Sequence, residues 1–75
     1  MFESLARAYP ESPDYDPSSD ASADLATLAA SPRRDLLLAD LAHALYGHDN
    51  LRAAAFHAWL DRETRAAQQH HVGIP

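Results

Sequence analysis

Apolar positions recur at helical spacing along most of this chain, and nowhere do they alternate with period two over a useful length. Phe2, Leu5, Ala6 and Tyr9 share one side of a short N-terminal helix that Pro10 ends. The segment PESPDYDPSSD holds three prolines, three aspartates and three serines, so residues 10–19 read as an extended or turn-like arm. Asp20, or Ser18 or Ser19 before it, is positioned to cap a helix over 20–30 with Ala21, Leu25, Leu28 and Ala29 on its apolar stripe. Ser31 followed by Pro32 opens a third helix running to Tyr46, and Gly47 suits a left-handed residue closing it. Asp49 or Asn50 then caps a last helix reaching about Gln68.

These elements predict an all-α fold, a small three-helix domain built as a helical hairpin with a crossing helix. A short N-terminal helix and an acidic Pro/Asp/Ser-rich arm precede it. Residues 1–19 form the helix and arm, 20–68 the three-helix domain, and 69–75 a flexible tail. Helices over 32–46 and 50–68 are separated by so few residues that they must be antiparallel or angled neighbours.

Stepping 100° per residue places Leu37, Leu38, Leu41, Ala44 and Leu45 on the expected core face of the third helix. Ala53, Phe56, Trp59, Leu60 and Ala67 form the matching stripe of the last one. The third helix carries a second stripe, Leu36, Ala39, His43 and Tyr46. A helix apolar on opposite sides needs cover on both. That cover is either the chain's own N-terminal segment, through Phe2, Leu5 and Tyr9 or Tyr15, or a second copy, or a partner protein. Aromatic and amphipathic side chains such as Tyr46 and His43 suit an interface.

Composition sharpens the need for cover. Sixteen of the 75 residues are alanine, which buries little, and there is no cysteine to supply a disulfide staple. The core is therefore marginal, and a homodimer or another stabilising partner is expected. MFESLARAYP lacks the basic start and apolar stretch of a signal peptide, and no apolar run is long enough for a membrane span, so the expected setting is cytoplasmic with no membrane partner. All six basic residues are arginine, a bias that with the alanines resembles short acidic helical proteins of phages and mobile elements.

Charge is one-sided. Residues 1–24 carry six carboxylates against Arg7, whereas 25–75 carry five acids and five arginines. No basic side chain lies between Ala8 and Pro32. Within the arm, Glu11, Asp14, Tyr15 and Asp16 offer carboxylates and a phenol to a partner with a basic groove.

Other chemistries find less support. His57 and Asp61 stand four apart on the last helix, but HExxH, CxxC and a third ligand at a set spacing are all missing, so no metal or other cofactor is expected. The two glycines, Gly47 and Gly73, make no phosphate loop, and so short a chain has little room for a catalytic pocket, so no enzyme is expected. Helix–GHDN–helix has the outline of a helix-turn-helix, yet a sequence pI near 5.3 and the absence of a basic patch argue against direct nucleic-acid binding. The expected function is a non-enzymatic protein–protein interaction module, a regulator or inhibitor acting as a homodimer or on another protein. Its contact residues would be Leu36, Ala39, His43 and Tyr46, with Glu11, Asp14, Tyr15 and Asp16. The alternative is an acidic nucleic-acid mimic that inhibits a nucleic-acid-handling enzyme, as anti-restriction and anti-CRISPR proteins do.

Overall fold

A computed structural model describes residues 3–18 and 20–72, with side chains to Gln69. It is all-α, and no strand occurs among the described residues. Four helices follow in order: α1 (Glu3–Ala8), α2 (Ser22–Ala30), α3 (Arg34–Tyr46) and α4 (Asn50–Val72). At 1.5 Å per residue α4 is about 35 Å long. It is the shaft against which both α2 and α3 pack.

The core is closed by Leu5, Leu28, Leu38, Phe56 and Leu60, all at most 1% exposed. Around Phe56 stands an aromatic cluster. Tyr9 lies 5.2 Å from Phe56, 5.5 Å from Trp59 and 5.9 Å from Tyr46, ring centre to ring centre, and the first two contacts are edge-on. Such tilted and edge-to-face pairs favour the ring quadrupoles beyond what burial alone gives. Two of the buried side chains, Leu5 and Tyr9, come from the N-terminal segment, which therefore contributes to the core.

Several local expectations are corrected. The N-cap residue of α2 is Ala21, which makes no side-chain cap bond. Ser18 turns back to Asp16 instead, and Ser19 lies outside the described residues. Burial of Ala21 fixes where α2 begins, and Asp24 supplies the negative charge that its first turn favours. At the next junction Ser31 Oγ does accept from the Arg33 N–H, at 3.1 Å. The chain then closes a tight turn from Arg34 N–H to Ser31 O, so the α-helix starts at Arg34 and not at Pro32. Gly47 is right-handed, with φ −61°. Space is what calls for glycine there: a Cβ would sit 2.3 Å from the His43 carbonyl oxygen. Asp49 caps α4 as expected, accepting from the Arg52 N–H at 3.1 Å, but α4 runs to Val72, beyond Gln68.

The core face of α3 is also rotated from expectation. Leu38, Ala42 and Tyr46 are the buried row, Leu37, Leu41 and Leu45 are half-buried, and Ala44 is exposed. On a helical wheel the buried row is centred roughly 100° from the expected face. Tyr46, on the rotated face, packs against Tyr9.

Candidate functional site

The four residues proposed for the second stripe of α3 divide. Tyr46 is 7% exposed and belongs to the aromatic core, so it is not a surface contact residue. Leu36, at 64% exposed, stays on the outside with Ala39 and His43, and Asp40 lies between them. The N-terminal segment thus covers one end of the stripe and leaves the other open. Phe2, also named as cover, lies outside the described residues, and Tyr15 is 47% exposed.

The acidic arm is a run of pinned turns, not a free extended strand. Ser12 N–H donates to Tyr9 O at 2.9 Å, and Tyr15 N–H to Ser12 O at 3.1 Å. Asp16 N–H closes the loop onto Arg7 O at 2.8 Å. The Tyr9 hydroxyl donates to Glu11 Oε2 at 3.0 Å, and burial together with that carboxylate raises the phenol's pKa above its ordinary value. Asp16 Oδ1 accepts both the Ser18 N–H and the Ser18 hydroxyl, which holds its carboxyl below the usual range. Glu11, Asp14 and Tyr15 remain exposed, and Asp16 is half-buried.

The two sets of residues do not form one site. Tyr9 leads the arm off the Tyr46 end of α3, whereas Leu36 stands ten positions back, about 15 Å along the helix. Leu36 instead borders the Ser31–Arg34 turn and Gln68 of α4.

At that second end is a polar network that the sequence pattern did not reveal. Arg34 Nη1 donates to Asp61 Oδ1 at 3.0 Å and to Thr64 Oγ1 at 2.9 Å, while Arg65 Nε donates to Asp61 Oδ2 at 3.0 Å. Thr64 is fully buried, and its hydroxyl also donates to Leu60 O at 2.8 Å. Arg34 also pairs with Asp35, which offsets placing a cation at a helix N-terminus. Between them the two arginines hold the Asp61 carboxyl below its usual range. Both Asp61 oxygens are thus engaged by arginine. A threonine in register with Phe56 and Leu60 was the available signal, since a buried hydroxyl needs partners. Nearby, Gln68 Nε2 donates to Ala29 O at 2.7 Å and satisfies a carbonyl at the end of α2.

Leu51 was also missed. It is 85% exposed and heads an outward row with Ala54, Ala55 and Ala58. Pro10 and Glu11 wall a shallow groove beside that row, over Ala55, Ala58 and Arg62. Among the described residues no three His, Asp or Glu side chains converge as metal ligands would, and no helix is long and apolar enough to cross a membrane. Comparisons with protein-family models, with curated proteins and with solved structures give no match.

Proposed function

We propose that this chain is a non-enzymatic interaction module that regulates or inhibits another protein by binding it. One observation carries the reading. The outer face of α3 keeps Leu36 largely in water beside Ala39 and His43, although the chain's own N-terminal segment has already covered the far end of the same stripe. An exposed leucine beside an amphipathic histidine, on a rigid helix, is the kind of anchor a partner pocket takes up. Quantitative capture from the native host tests it, with the full chain and its Leu36→Arg variant as baits. A protein retained by the first and lost by the second is the expected result. Identical sets of captured proteins would remove the α3 face from the reading.

A second reading draws on the arm. Its turns fix Asp14 and Tyr15 outward in a stretch with no basic side chain, which suits a partner with a basic groove and a nucleic-acid-mimicking inhibitor. Exposed charges are screened over about 8–10 Å near physiological salt. Binding through the arm therefore weakens as salt rises and competes with DNA or RNA for the partner. Binding through Leu36 does neither.

A further inference from the structure

We propose that the segment Glu3–Tyr9 is a detachable plug in a groove of the α2–α4 bundle, and that the same groove takes up this segment from a second copy of the chain. The α3 outer face has no part in it. A six-residue helix is far too short to persist alone in water, so α1 exists because it is docked. Docking rests on two large side chains: Leu5 is fully buried, and Tyr9 is seated against the rings of Phe56, Trp59 and Tyr46. Among the described residues, polar ties to α1 and its following turn include Ser4 Oγ to Asp24 Oδ2 and Asp16 N–H to Arg7 O. Between Tyr9 and Ala21 runs a proline-rich connection with turns of its own and no buried apolar side chain among its described residues. These are the ingredients of segment exchange: a short docked element, a connecting hinge and a groove that fits it. A groove that accepts the segment within one chain offers identical contacts to the segment of another. Which source wins depends on concentration, with the crossover near the roughly millimolar effective concentration of a short linker.

The absence of cysteine makes a direct test possible. Ser4→Cys and Asp24→Cys, combined in the full chain, place two thiols where Ser4 and Asp24 now touch. Oxidation across a series from micromolar to about millimolar protein should give an internal disulfide at the dilute end. Toward the concentrated end, dimers linked between position 4 of one copy and position 24 of the other should approach about half the material. Monomer throughout, or dimers linked only between like positions, would overturn exchange. The unaltered chain supplies a second measurement. The Asp16 amide, bonded to Arg7, should exchange its hydrogen about tenfold or more faster than the amides of Phe56–Thr64, because the plug opens without global unfolding. Equal rates would overturn the detachable plug.

Discussion

The two ends of α4 are closed by different physics. At the Phe56 end, four aromatic rings from α1's continuation, α3 and α4 fill space with no directional bond between them. At the Thr64 end, Arg34, Asp61, Arg65 and Thr64 fix the approach of α3 to α4 through bonds whose atoms are specified. The first end draws most of its stabilisation from burial, which is large and tolerant of angle. The second contributes less in total but selects one register, since a misplaced Thr64 or Arg34 would leave a buried polar group unpaired. In a chain rich in alanine, where steric interlocking is weak, that division of labour decides how α3 sits.

Substitutions at either end separate the two contributions. The largest effect is expected from Phe56→Ala, which removes the ring all others touch and should lower unfolding free energy by about 3–5 kcal/mol, read from the urea midpoint. Thr64→Val keeps the shape but deletes a donor and an acceptor, and should cost about 1–2 kcal/mol in the same titration. Acid probes the polar end further. Arginine holds the folded carboxyl of Asp61 below its unfolded value near 4, so its contribution is present above about pH 4 and falls away as pH drops through the folded value. Asp61→Asn should therefore flatten the acid limb of a stability–pH curve while leaving the aromatic end intact. Tyr9→Phe has the smallest expected effect, below about 1 kcal/mol, because the ring remains and only the bond to Glu11 goes. With the folded phenol's pKa raised, stability declines once pH passes the ordinary value near 10, and the phenylalanine variant should lose that decline.

The helices, the Asp49 cap and the inner face of α4 were legible because Phe56, Trp59 and Leu60 cluster on one side with alanine and charge opposite. The facing of α3 was not. Its leucines and alanines are spread around most of the circumference, so periodicity alone allows several rotations, and a residue more than thirty positions away, Tyr9, selects among them. The candidate contact residues met the same ambiguity: periodicity left open whether the chain's own Tyr9 or a partner covers Tyr46, and nothing local decides between them. Leu51 went unnoticed for a different reason, being alone among alanines where no stripe frames it. The arm's charge was plain from composition, whereas its folding back onto Arg7 depends on one main-chain bond that no side chain announces.

The protein's single tryptophan has a practical consequence. Trp59 lies almost wholly out of water, 5.5 Å from Tyr9 and stacked near Phe56. Its indole emission is therefore a native optical gauge of whether Glu3–Tyr9 is seated, with no dye attached. The loss of one tyrosine neighbour would register as a colour and intensity change while the helical signal of α4 stayed constant.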